Sequence, residues 1–155
     1  MKQIKIFKEQ FVTMVPVGFE DLPEKMATLK YPLNGRPEII KADENYTSDF
    51  KYSLLDVETE VYALDNLCEY VKDIVLNSNP GFQFVETYAL KDEKMNIAKA
   101  FSFQNKVLDG VVFNVIGYKQ FGREVINISM SCPLEMKDEY IEKYKQSVLK
   151  TQRWR

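Results

Sequence analysis

Histidine is absent from this 155-residue chain. Its absence removes the commonest general base at neutral pH and the commonest side-chain ligand of zinc, copper and nickel, and with them the Ser-His and Cys-His nucleophile pairs. Cysteine is scarce. Cys68 and Cys132 are too few and too far apart for a disulfide framework or a Cys-x-x-Cys metal site, and each lies in an apolar pattern that predicts a buried, reduced thiol. No stretch approaches the roughly 20 apolar residues of a membrane-spanning helix; the densest, GVVFNVIGY, has an asparagine at its centre. Neither sign of charge dominates: 21 basic and 23 acidic side chains leave a formal −2, without the dense positive field that nucleic-acid binding usually needs. The start, MKQIKIFKEQF, interrupts every apolar run with Lys, Gln or Glu, unlike a secretory signal. These absences predict a soluble, cytoplasmic protein with no metal or organic cofactor, no nucleic-acid partner and no membrane insertion.

What is present suits one domain over residues 1–155: 45% hydrophobic and 28% charged content, without repeats or linkers. IKIFKEQFVTMVPVGFED reads as two short strands with a turn at Val15-Pro16-Val17-Gly18. LPEKMATL reads as a short helix with Pro23 in its first turn. KYPLNGRP is a loop signal leading to a strand from Glu38 to Lys41. In DFKYSLLDV, Phe50, Tyr52 and Leu54 alternate with Lys51 and Ser53, which predicts a strand with one buried face.

From Thr59 the period changes. Leu64, Leu67, Cys68, Val71, Ile74 and Val75 recur at three- and four-residue spacing opposite Asp65, Glu69, Lys72 and Asp73, predicting an amphipathic helix that docks on a sheet. Glu58 and Glu60 lie near its start, where the helix dipole favours them. The segment VLNSNPGFQFVE then stops the helix: Asn77 and Asn79 tolerate left-handed backbone, Pro80 cannot continue a helix, and Gly81 permits the exit. A phosphate cradle needs the reverse order, strand before Gly-rich loop before helix.

The last third predicts three strands, MNIAKAFSFQNKV, GVVFNVIGYKQF and REVINISMSC, followed by a helix from about Lys137 with Ile141, Tyr144 and Val148 on one face. Two-residue turns at Asp109-Gly110 and Phe121-Gly122 sort the side chains. One face collects Ala98, Ala100, Ser102, Val111, Phe113, Val115, Ile126, Ile128 and Met130, small and aliphatic enough to receive a helix. The other carries Lys99, Phe101, Phe103, Asn114, Ile116, Tyr118 and Asn127, a mixture of aromatics and amides that fits a partner-binding groove unless a second helix covers it. Phe101, Phe103, Asn114, Ile116, Tyr118 and Asn127 are therefore the candidate partner-binding residues, and alanine at Phe103 or Tyr118 is expected to cost binding about 1–3 kcal/mol and stability less than alanine at Phe113. If that face is closed, Tyr31 and Arg36 in the loop YPLNGRP are the fallback anchors. Carboxylate pairs such as Asp138 and Glu139 lie in polar surroundings, and no catalytic residue is assigned.

Four features taken in order carry a resemblance: FVTMVPVGFED, the joint NSNPGFQFVE, the hairpin FSFQNKVLDGVVFNVIGY, and ISMSCPLEMKDEYIEKYKQSVLK. Together they resemble the PsbP-like fold family, which includes DcrB-like domains, Ran-binding Mog proteins and Eag-type effector chaperones. The resemblance implies an α+β fold, an α/β/α sandwich with a twisted antiparallel sheet of about six or seven strands flanked by helices, and no enzymatic activity. The expected role is a non-enzymatic protein-binding module, a chaperone or adaptor for a secreted or membrane-active partner. A small-ligand or lipid carrier using the same sheet face is the alternative, and an enzyme ranks below both. The expected partner is a protein or peptide, a second copy of the chain among them.

Overall fold

The computed structural model describes residues 1–32, 36–55 and 63–154. In chain order these form β1 (Lys2–Ile6), β2 (Phe11–Val15), β3 (Glu20–Asp21), α1 (Glu24–Lys30), β4 (Ile39–Ala42), β5 (Asp49–Leu54), α2 (Leu64–Ser78), β6 (Gln83–Lys91), β7 (Ile97–Val107), β8 (Gly110–Phe121), β9 (Glu124–Pro133), α3 (Lys137–Lys150) and β10 (Gln152–Arg153). Seven strands make one antiparallel sheet in the order β3-β4-β5-β9-β8-β7-β6, and β1-β2-β10 make a small second sheet. The α+β class and the strand number expected of the sequence both hold. The expected helix start at Thr59, with Glu58 and Glu60, lies outside the described residues.

Alternation sets the two faces of the large sheet. The β7–β8 turn lies at Leu108-Asp109, with Val107 opposite Gly110, one residue earlier than the Asp-Gly signal placed it. The β8–β9 turn is Gly122-Arg123, with Phe121 opposite Glu124, one residue later than expected. Moving a turn by one residue slides the pairing by two, so every side chain keeps its face. Gly110 and Gly122 have φ of 148° and 61°, backbone that a residue without Cβ adopts at little cost.

The aliphatic face is the main core. Ala98, Ala100, Phe113, Val115, Ile126, Ile128 and Met130 pack with Phe50 and Tyr52 under α3, whose Tyr140, Ile141, Tyr144 and Val148 recur on one helical face. Tyr144 donates its hydroxyl to the Ile128 carbonyl at 2.7 Å. That approach requires Gly117, because a Cβ there would lie 2.2 Å from the Tyr144 oxygen and 2.9 Å from the Ala100 Cβ. A buried hydroxyl chain closes the layer: Tyr52 meets Ser147 at 2.6 Å, Ser147 meets Thr13 at 3.1 Å, and Thr13 meets Thr151 at 2.7 Å.

Lys119 of β8 is buried on this face. Its ammonium donates to the Val148 and Thr151 carbonyls at 2.7 and 2.8 Å and pairs with Asp92, in the β6–β7 turn, at 2.8 Å. The last carbonyls of a helix lack intrahelical partners, so a strand lysine here caps α3. Burial alone raises the Asp92 carboxyl; the Lys119 ammonium and the Asn96 amides outweigh it and hold the group below its usual range.

The first hairpin differs from its sequence reading. Its turn spans residues 7–10, with Phe7, Lys8 and Glu9 at φ of 54°, 55° and 64°, and Val15-Pro16-Val17-Gly18 instead leads from β2 to β3. Left-handed backbone costs roughly 1–2 kcal/mol per residue. Phe7 offsets part of it by burying its ring edge-on against Phe11, with centroids 6.1 Å apart. The two-residue β10, unforeseen, pairs with β2 and joins the chain end to this small sheet.

Gly117→Ala is expected to lower stability by about 1–3 kcal/mol through overpacking, and adding Tyr144→Phe, which removes the clashing oxygen, to restore part of the loss; urea midpoints of the two variants check this. Because the folded pKa of Asp92 is depressed, its stabilisation is complete above the unfolded value of 3.8 and disappears as pH falls through the lower folded value. Asp92→Asn should therefore flatten the acid limb of a stability-versus-pH curve, an outcome read by thermal unfolding across acidic buffers.

Candidate functional site

The aromatic face is closed by α2. Leu64, Cys68, Val71 and Val75 recur on one helical face; Leu64 packs with Tyr118 and Val125, while Cys68, Val71 and Val75 pack with Phe101 and Phe103. An ion pair between Lys99 of β7 and Asp65 of α2, 3.2 Å apart, ties helix to sheet. Phe101, Phe103 and Tyr118 are 0%, 6% and 9% exposed. The expected open groove is corrected: these three side chains anchor α2 and are not free to meet a partner. Ile116 is half-buried against α2, and Asn114 and Asn127 are half-buried.

The same face becomes polar toward its other edge. α1 packs through Met26 and Ala27 on Ile40 and Ala42 of β4. Between the two helices the floor is Asp49 and Lys51 of β5, Asn127, Ser129 and Ser131 of β9, and Asn114 of β8, aligned by the registers Asp49↔Ser131↔Asn114 and Lys51↔Ser129. Lys51 donates to Ser131 at 2.9 Å, Ser131 to Asn114 at 2.9 Å, and Asn114 to Asn105 at 2.9 Å. At the near end Tyr31 donates to Asp49 at 3.1 Å, and Lys51 lies 3.1 Å from the other Asp49 oxygen. Asn127 donates to the Gly117 carbonyl at 3.0 Å and receives the Ser129 hydroxyl at 3.2 Å. Tyr31 is thus half-buried and engaged, Arg36 pairs with Glu24 at 2.9 Å, and residues 33–35 of the fallback loop lie outside the described residues.

Burial and neighbouring charge act on Lys51, Tyr31 and the nearby Tyr118 and cysteines. Burial disfavours charge on Lys51, but Asp49 and Tyr31 outweigh it and raise its pKa above the ordinary lysine value. Burial raises the Tyr31 phenol, pushes Tyr118 up to about 12, and lifts the thiols of Cys68 and Cys132 to about 11 and about 12. Both cysteines are free and buried, as their apolar surroundings predicted. Among the described residues no group of three or more Cys, Asp or Glu side chains is placed to hold a metal ion. The arrangement supplies fixed donors and acceptors.

One flank of α2 is apolar and turns to the β5–β9 side. On α2, Asp65 points toward Lys99 of β7, and Lys72 lies over the Phe84 ring of β6 at 5.0 Å, whereas Leu67 packs with Leu55 and Val125 on the β5–β9 side. Tyr70 and Ile74 continue the Leu67 stripe at helical spacing and are 68% and 51% exposed. Large apolar side chains so exposed, on the same side of the sheet as half-buried amides, have the composition of an interface centre and rim. Of the expected partner-binding residues, Asn114, Ile116 and Asn127 are half-buried on this face, and Phe101, Phe103 and Tyr118 lie buried under α2. The helical spacing puts Ile74 on the docking stripe of α2, yet it is 51% exposed, and the alternation of β5 points Lys51 and Ser53 away from the apolar face, yet Lys51 is 9% exposed.

No protein-family model matches the sequence, and no curated protein matches it. Solved structures do. Cyanobacterial PsbP from Synechocystis superposes with a TM-score of 0.70 at 10% identity, over 99% of this chain and 92% of that one. The Ran-binding protein Mog1p of Saccharomyces cerevisiae gives 0.62 at 14% identity, over 97% and 94%. LpqN, involved in cell envelope biogenesis of Mycobacterium tuberculosis, gives 0.62 at 13% identity, over 92% and 82%. The chain has the PsbP-like fold.

Burial of Phe103 reverses the expectation attached to it. Phe103→Ala should lower stability by about 3–5 kcal/mol, as large a loss as Phe113→Ala, and chemical denaturation of the two variants side by side checks the equality.

Proposed function

We propose that this protein is a non-enzymatic protein-binding module, a chaperone or adaptor, that grips its partner between the exposed flank of α2 and the polar floor beside it. The observation that carries the reading is the occurrence on one side of the sheet of Tyr70 and Ile74, exposed at helical spacing, and of fixed polar groups: Asn114, which accepts from Ser131, and Asn127, which is held on the Gly117 carbonyl. Tyrosine buries a large area with little loss of rotamer freedom, and a pre-ordered amide row meets backbone groups of a bound segment without further ordering cost. The Ran-binding description of one structural neighbour supports a protein partner for this fold. The two free thiols suit a reducing compartment such as the cytoplasm.

A carrier of small ligands is less well supported. Cys68, Val71 and Val75 occupy the space over Phe101 and Phe103 that a carrier keeps for its cargo.

Native mass spectrometry of gently purified protein is expected to show a co-purified polypeptide. The double variant Tyr70→Ala, Ile74→Asp should lose about 1–3 kcal/mol of that affinity while its stability changes within about 0.5 kcal/mol, as for exposed positions. A co-purified small molecule in place of a polypeptide, or undiminished capture by the double variant, sinks the reading.

A further inference from the structure

A second surface lies on α3's side of the sheet, where the β6–β7 turn meets the end of α3. Two depressions adjoin there and share Lys94 and Gln152. One, of about 370 Å³, is also lined by Asn96, Phe121, Gly122 and Arg153. The other, of about 310 Å³, is lined by Lys91, Asp92, Glu93, Leu149 and Lys150. Asp92 is already neutralised by Lys119, and Arg153 is neutralised by Glu124, to which it is hydrogen-bonded. Lys91, Lys94 and Lys150 are exposed and enter no ion pair among those of the described residues, and Glu93 is the one acid left to oppose them. A chain that is net negative overall, at −2, thus gathers three uncompensated ammonium groups around a concave surface whose floor supplies the side-chain amides of Gln152 and Asn96.

We propose that these joined depressions bind an acidic segment of the protein partner, an Asp- or Glu-rich stretch of extended chain. The inference rests on the protein-binding reading and specifies the partner's charge. Lysine is a compact point charge suited to carboxylates arriving from several directions, and two depressions side by side extend beyond the reach of one small anion. The three lysines rise from two elements that Lys119 locks together: Lys91 and Lys94 flank Asp92, and Lys150 ends the helix whose Val148 carbonyl accepts from the same ammonium. The backbone from which the three lysines rise is therefore held in place before any ligand arrives, which limits the ordering cost of binding to that of the side chains.

The full-length protein and a hexaglutamate peptide with blocked ends test the site at low ionic strength. Trp154, the single tryptophan of the chain, is 38% exposed one residue beyond Arg153, so its fluorescence reads binding, and amide chemical shifts of Lys91, Lys94, Asn96 and Gln152 give a second readout if the indole is silent. A saturable response is expected, weakened roughly tenfold or more in Lys94→Glu, Lys150→Glu and progressively lost with added salt. Lys106→Glu, at the opposite end of β7, should leave it unchanged. The inference is overturned if the wild type gives no saturable response by either readout, if Lys106→Glu weakens binding equally, or if inorganic phosphate displaces the peptide at matched concentration, which marks a small-anion site. The Tyr70→Ala, Ile74→Asp variant should bind hexaglutamate normally. Absence of peptide binding in a protein that still co-purifies a polypeptide removes this site alone; peptide binding without any polypeptide partner removes the protein-binding role.

Discussion

An ammonium group enclosed by protein has to be met by oxygen from every side, and in this molecule that requirement joins three remote parts of the chain. Lys119 takes its oxygens from a turn carboxylate and from two carbonyls at the end of α3. Removing any one leaves buried charge or a buried carbonyl uncompensated, a loss of a few kcal/mol. Once α3 ends at this point, Thr151 and β10 follow in fixed positions: Thr151 enters the hydroxyl chain with Thr13, and β10 pairs with β2. The small sheet is thereby fastened to the large one through polar contacts, with Phe11 and Phe121, centroids 5.2 Å apart, packed between them.

The two faces of the large sheet solve different problems. Under α3 the sheet side chains are mostly apolar, apart from the Lys119 ammonium and the hydroxyl chain, and so closely fitted that a Cβ at Gly117 would clash. Under α1 and α2 the face is divided, with apolar packing at its two edges and an ordered polar row between. A polar row on a sheet interior adds little net stability, since each hydrogen bond replaces one to water. It does leave oriented donors and acceptors near the surface, and that is the property recognition needs. The proposed protein-binding role draws on this row and on the exposed Tyr70 and Ile74 of α2.

Much of this was legible in the sequence because period alone carries it. Alternation over residues 97–133 gave both sheet faces, and three-to-four spacing gave α2 and α3. Period does not say which element covers which face, so Phe101, Phe103 and Tyr118 read equally well as a groove or as the seat of α2. Lys51 and Lys119 escaped notice for a related reason: lysine at an alternating position ordinarily marks solvent, and only tertiary partners, Asp49 and Asp92, make burial tolerable. Similarly, nothing local in Phe7-Lys8-Glu9 favours a left-handed turn; the packing of Phe7 on Phe11 selects it.

The sliding of the β7–β8 pairing by two residues when its turn moves by one has a consequence for how the hairpin tolerates change in its length. Its tip projects past its neighbours: β6 reaches only to Gln104 and β9 only to Val112, so the pairs Lys106↔Val111 and Val107↔Gly110 have no flanking strand. Residues added or removed there two at a time preserve the assignment of every side chain below, from Phe113 to Phe121, to helix α2 or helix α3. A single residue gained or lost within the paired region, unless absorbed as a bulge, turns Phe113 toward α2 and Asn114 into the aliphatic core. The hairpin thus works as a ratchet with a two-residue tooth, free to lengthen in even steps while the surfaces it builds stay where they are.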